Sequence, residues 1–180
     1  MSKHLFFMAL LPPLAIQKEA NQIKHHFAEV YNSKAALKSP PHITLQPPFY
    51  WEITRLGELK KVLEELAQHQ AFILIILDGF AAFKPRVIYI NVLKTPELLS
   101  LQKELMLQLE SSLNIVHKVA KHRPFTPHIT VGFKDLTKAN FYQAWEEFKE
   151  RPFDSQFNAS KLTLFQHNGK KWEIDPEFCF

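Results

Sequence analysis

Two identical tetrapeptides, Pro41-His42-Ile43-Thr44 and Pro127-His128-Ile129-Thr130, lie 86 residues apart in a chain of 180. In an extended strand residues i and i+2 project from one face, so His42 and Thr44 point together, as do His128 and Thr130, while Ile43 and Ile129 turn to the opposite, core side. Each tetrapeptide then offers an imidazole beside a hydroxyl. Facing each other across a cleft, the two pairs form a set suited to phosphodiester displacement. A neutral imidazole takes a proton from the attacking oxygen, a protonated one gives a proton to the leaving oxygen, and the hydroxyls stabilise charge growing on the phosphoryl oxygens. Histidine fits both roles because its unperturbed pKa of about 6.5 lets both protonation states exist near neutrality. The scheme calls on no metal and no cofactor. Because the histidines act in opposite states, it implies a bell-shaped pH profile belonging to the pair. A lone His-x-Thr is an ordinary strand fragment. From this composition the full tetrapeptide is expected on the order of 0.01 times or fewer by chance, so a second copy calls for an explanation.

The elements that position these residues are also written twice. Leu5 to Leu11 is an apolar run of strand length closed by Pro12-Pro13. Leu14, Ile23, Phe27, Val30 and Tyr31 follow at helical spacing between charged residues. After a loop come the first motif strand, a helix bearing Leu56, Leu59, Leu63 and Leu66, and a strand from Phe72 to Phe80. The order then restarts. A strand runs from Val87 to Leu93, and a helix is capped by Thr95 with Pro96 at its first position and carries Leu98, Leu101, Leu105 and Leu109. The second motif strand spans His128 to Phe133, a helix begins near Thr137, and a strand runs from Phe157 to Phe165. Matching elements are offset by 82, 86 and 85 residues (Leu5 to Val87, His42 to His128, Phe72 to Phe157), the near-constant spacing a duplicated half-domain leaves. The expectation is one domain over 1–180 with pseudo-repeat halves of about 1–83 and 84–180, and a last segment, Lys170 to Phe180, that adds a strand. The fold class is α+β: two lobes, each an antiparallel sheet flanked by helices, packed about a central cleft with one motif strand from each lobe.

With both motifs and the surrounding elements in place, the chain resembles the 2H phosphoesterases, also called the LigT-like or 2′-5′ RNA ligase superfamily. The resemblance spans nearly the whole sequence. It includes the opening strand His4 to Leu10, Ser39-Pro40-Pro41 before the first motif, Asp78-Gly79-Phe80 leading to Phe83, and Arg123-Pro124-Phe125-Thr126-Pro127 before the second. It implies cofactor-free cyclic phosphodiesterase or 2′-5′ RNA ligase chemistry at the 2′ position of RNA ends or small cyclic nucleotides. His42 and His128 are then base and acid in either order, and Thr44 and Thr130 hold the phosphate. A nucleotide- or RNA-binding module of the same fold with little turnover is the alternative. RNA-acting members often carry a basic residue five positions after the second histidine; here that position is Phe133, followed by Lys134. Strand alternation would place Lys134 on the face of His128 and Thr130.

Other residues are weaker candidates for the ligand. Arg123, in the basic stretch with Lys118, Lys121 and His122, suits bidentate phosphate contact. Phe125 and Phe49 lie near the motifs where an aromatic ring can stack on a base, although core packing competes for them among 16 phenylalanines. Gln46 shares the face of His42 and Thr44 by alternation. The remaining histidines are not spaced as metal ligands: His25 and His26 point about 100° apart on a helix and read as surface residues, and His117 and His122 fall in a loop. The single cysteine, Cys179, excludes an internal disulfide and a thiolate zinc cluster, which fits the cytoplasm. No segment reaches membrane-spanning length. A net charge of +4 and pI near 9.1 favour an anionic ligand without the dense basic stripe of a duplex DNA binder. Nothing in the sequence calls for a protein partner, and the expected state is a monomer.

Overall fold

The first strand explains itself from its burial. In the computed structural model, which describes residues 2–180, β1 spans Lys3–Leu10 and all five residues from Phe6 to Leu10 are buried. It lies between two neighbours, with the core on one face and a small aromatic cluster on the other, so its apolar residues run on without alternation. Pro12 and Pro13 end it, and α1 (Leu14–Val30) follows with Ile16, Ala20, Ile23, Lys24 and Phe27 buried along one stripe. A 3-10 turn over Ala35–Lys38 leads to β2 (Ile43–Glu52). This strand accommodates Pro47 and Pro48 because it is the edge of its sheet and its pairing with β1 is bulged there.

The chain continues through α2 (Leu56–Gln68), β3 (Ile73–Phe83), β4 (Val87–Val92) and α3 (Pro96–Leu113). Thr95 caps α3 as its sequence implies, its hydroxyl accepting the Leu98 N–H, and Asn114 closes the helix in the left-handed conformation. Then come a single turn, α4 (Lys118–Lys121), β5 (His128–Gly132), and α5 (Lys138–Phe148), which is capped by Thr137. The last strands are β6 (Asp154–Ala159), β7 (Lys161–His167) and β8 (Trp172–Cys179), the strand expected from the C-terminal segment.

Two antiparallel four-stranded sheets result, in the orders β2-β1-β7-β8 and β5-β4-β3-β6, flanked by helices, which is the expected α+β class. The run Phe157 to Phe165, expected as one strand, is two strands in different sheets that part at Ser160. Ala159-Ser160-Lys161 contains no glycine or proline, so nothing local marks the break; only the demand of each sheet for a strand makes it. The sheets also do not coincide with the sequence halves. β3 pairs with β4 and β6, whereas β7 pairs with β1, so the third strand of each half enters the other half's sheet. The helices cross over in the same sense: α1 packs on β5, and α3 packs on β2. One core cluster runs through both sheets and all four long flanking helices.

Candidate active site

The motif strands β2 and β5 are each the edge of their sheet and touch across the middle of the molecule. Ile43 and Ile129 are fully buried, and His42, Thr44, His128 and Thr130 are half-buried on the opposite, cleft-facing side. The two histidines are held alike. Nδ1 of His42 lies 2.7 Å from the carbonyl oxygen of Pro40, and Nδ1 of His128 lies 2.6 Å from that of Thr126, in each case two residues upstream. A carbonyl only accepts, so Nδ1 carries the proton in both rings. The neutral ring then has a bare Nε2 to accept a proton, and the protonated ring has an Nε2–H to donate.

Aromatic rings flank each imidazole in matching positions. His42 lies against Phe7 of β1 (ring centroids 4.8 Å apart) and Phe165 of β7 (5.7 Å), and His128 lies against Tyr89 of β4 (4.9 Å) and Phe83 of β3 (5.2 Å). Phe7 and Tyr89 are 82 residues apart, as are Phe83 and Phe165, so the exchange of third strands supplies each site with its second ring. Burial among these rings disfavours the imidazolium and pushes His42 down to about 4. The Pro40 carbonyl opposes this shift, while the cations of Lys24 and His128 add to it. Burial lowers His128 as well, against the pull of the Thr126 carbonyl.

A cavity of about 380 Å³ opens beside the pair, lined among others by Thr44, Phe83, His117, Arg123, Phe125 and His128. Four sequence candidates, Thr44, His128, Arg123 and Phe125, thus meet in one space, with His42 just before β2 and Thr130 on β5. Two do not join them. Gln46 falls after a bulge at Leu45, which puts it opposite the core residue Met8 and buries it, so the expected sharing of a face with His42 and Thr44 is overturned. Lys134 lies beyond the end of β5 with φ of 56°, so alternation does not reach it, and its exposed ammonium is 5.4 Å from the Phe133 ring centroid. Phe49 packs toward Phe6.

His117 belongs to the site although its spacing gives no sign of it. It caps α4, its Nδ1 accepting the Ala120 N–H, and its ring lines the cavity. Lys121, beside it, is paired with Glu110. His26, read as a surface residue, is half-buried and paired with Glu147. Among the described residues no group of three His, Cys, Asp or Glu side chains is arranged to hold a metal ion. No described helix is long and apolar enough to cross a membrane.

The Asp135 carboxylate, just after β5, links the approaches to the two motifs. It accepts from the Ser33 hydroxyl at 2.9 Å and from the backbone N–H groups of Lys34 (2.8 Å) and Ala35 (3.1 Å), at the start of the segment leading to His42.

Comparison with known proteins bears on the family and the fold. The family described as the 2′-5′ RNA ligase superfamily matches residues 12–171. A protein of Geobacillus thermodenitrificans named "Putative phosphoesterase" is 33% identical over 175 residues, covering 95% of this chain and 93% of that one. Among solved structures, Escherichia coli LigT complexed with 3′-AMP superposes with a TM-score of 0.73 at 18% identity, covering 99% of both chains. TT0787 of Thermus thermophilus gives 0.69 at 16% identity, covering 97% of both chains.

Proposed function

Because the chain belongs to the 2′-5′ RNA ligase superfamily, the 2H phosphoesterases, we propose that it is a metal-independent phosphodiesterase acting at the 2′ position of RNA ends or small cyclic nucleotides. The observation that carries this reading is the matched tethering of two imidazoles by Nδ1, each leaving Nε2 free for proton transfer at one cleft. In hydrolysis of a 2′,3′-cyclic phosphate, one neutral Nε2 takes a proton from water as the water oxygen bonds to phosphorus. The bond from phosphorus to the 3′ oxygen breaks, and the protonated Nε2 of the other histidine gives that oxygen its proton, leaving a 2′-phosphate. Thr44 and Thr130 donate to the non-bridging oxygens as their charge grows. With a ribose 5′-hydroxyl in place of water, the same steps in the same direction join ends through a 2′-5′ bond.

The cavity volume and the presence of Arg123 and Phe125 in its lining suit a nucleotide, with the guanidinium toward phosphate and the ring toward a base. LigT, one of the structural neighbours, has been crystallised with 3′-AMP, ATP, NADP+ and phosphate, which supports a nucleotide ligand here. The test is incubation of the purified protein with nucleoside 2′,3′-cyclic phosphates in EDTA, with products identified by phosphorus NMR and His42→Ala and His128→Ala run in parallel. A single phosphomonoester regioisomer, lost in both variants, is the expected result. A wild type that binds nucleotide but leaves every cyclic phosphate and 2′-5′ linkage intact makes the protein a binding module instead.

A further inference from the structure

Lys24 is the only buried charged side chain among the described residues, and no carboxylate accompanies it. Burying an ammonium without a counter-charge is costly, and the cost shows in its acidity: burial brings Lys24 down to about 7. What it meets are two backbone carbonyls of the segment leading into the first motif, Ala36 O and Ser39 O, each at 2.9 Å from Nζ. The next residue, Pro40, supplies the carbonyl that holds His42 Nδ1. Lys24 projects from α1, the helix that packs on β5, so one side chain ties the approach to the first motif onto the support of the second.

We propose that Lys24 is the positioning residue of the first motif: its sealed ammonium pins the carbonyls of Ala36 and Ser39 to α1 and thereby fixes the Pro40 carbonyl from which the His42 ring is held. Lys24 does not touch the reacting atoms; it acts through His42. The second motif is built without such a pin, since no other buried cation exists among the described residues to stand behind the Thr126 carbonyl. The two imidazoles are therefore unlike despite their matched tethers. The charged or titratable groups acting on His42 are Lys24 and His128, and between them only Lys24 carries a charge throughout the range in which His42 titrates.

The kinetic consequence rests on the phosphodiesterase reading, but the structural one does not, so the first measurement needs no turnover. In imidazole NMR of the full chain, Lys24→Met reduces the His42 share of the Nδ1–H tautomer and shifts its midpoint, with the lost cation raising it and the loosened Pro40 carbonyl lowering it, while His128 is unchanged. Lys24→Arg, which keeps the cation and its donors, moves His42 back toward the wild-type value. On a 2′,3′-cyclic phosphate Lys24→Met lowers kcat roughly 10- to 100-fold with little change in KM, because a displaced general acid or base slows the chemical step. Stability is a poor readout, because the methionine removes a buried charge but leaves two carbonyls unpaired. If the methionine variant does not fold, the wild-type Lys24 ammonium, labelled with nitrogen-15, is expected to exchange its protons far more slowly than the exposed lysines. Exchange as fast as theirs overturns the proposal, as does a Lys24→Met spectrum in which His42 is unaltered or moves together with His128. An inactive wild type that still shows the His42 shift refutes the phosphodiesterase reading and leaves Lys24 in its role.

Discussion

Each motif imidazole is held at one nitrogen and burdened by burial, and under the proposed mechanism the second effect sets the pH at which the pair works. With His42 near 4 and His128 also below its ordinary value, both rings are neutral in the free protein at pH 7. The kcat/KM profile, which reports the free enzyme, is therefore expected to peak below pH 6.5 and to fall on the alkaline side as the acid loses its proton. Bound phosphate favours the imidazolium, so the kcat profile lies at higher pH. A kcat/KM maximum above pH 7.5 contradicts the burial argument. The same shift acts on folding. A histidine depressed in the native state leaves the unfolded chain to take up protons first, so this contribution to stability is complete above pH 6.5 and is lost as pH falls toward 4. Urea unfolding of wild type and His42→Ala between pH 4 and 8 measures the difference. At the hydroxyls, Thr44→Val removes a donor that the proposed mechanism sets against the phosphoryl oxygens and is expected to cost about 100-fold in kcat, with circular dichroism unchanged.

Crossed packing brings the motif strands together, and two contacts test it. Gly132 ends β5 directly on α1: a Cβ there would lie 2.5 and 2.7 Å from ring carbons of Phe27, which is fully buried. Gly132→Ala is expected to destabilise the protein by about 1–3 kcal/mol, and Phe27→Leu in the same chain to restore much of it, as measured by thermal denaturation. Asp135 joins the two motif approaches. Partial burial opposes its ionisation, but the Lys34 amide, the Ser33 hydroxyl and the Ala35 amide hold its carboxyl below the usual range. Its contribution is present above the unfolded carboxylate value near 3.8 and is lost as pH falls through the lower folded one. Asp135→Ala is expected to cost about 1 kcal/mol, because water replaces part of what an exposed carboxylate gives up, and to raise hydrogen exchange at Lys34 and Ala35.

At the scale of the whole molecule, each sheet takes strands from both halves of the chain, so neither half holds a complete sheet. Fragments 1–83 and 84–180 are expected to remain unfolded alone, and the intact chain to unfold in one transition by far-ultraviolet circular dichroism and tryptophan fluorescence alike. A fragment that folds alone would show that strand exchange is not what binds the halves.

The sequence by itself determined the motif residues, the strand-helix order and the Thr95 cap, because tetrapeptides, caps and periodicities act over a few residues. It did not determine which sheet a strand enters. β3 and β7 are apolar runs that satisfy either sheet, and only long-range pairing decides between them. The aromatic collars, Phe7 with Phe165 and Tyr89 with Phe83, follow from that choice. Alternation failed for Gln46 and Lys134 where a bulge and a left-handed residue interrupt it, and neither has a reliable local signature. Lys24 read as one more charge on a helix; its burial depends on a segment 12 to 15 residues later folding back over it, which only the tertiary structure brings about.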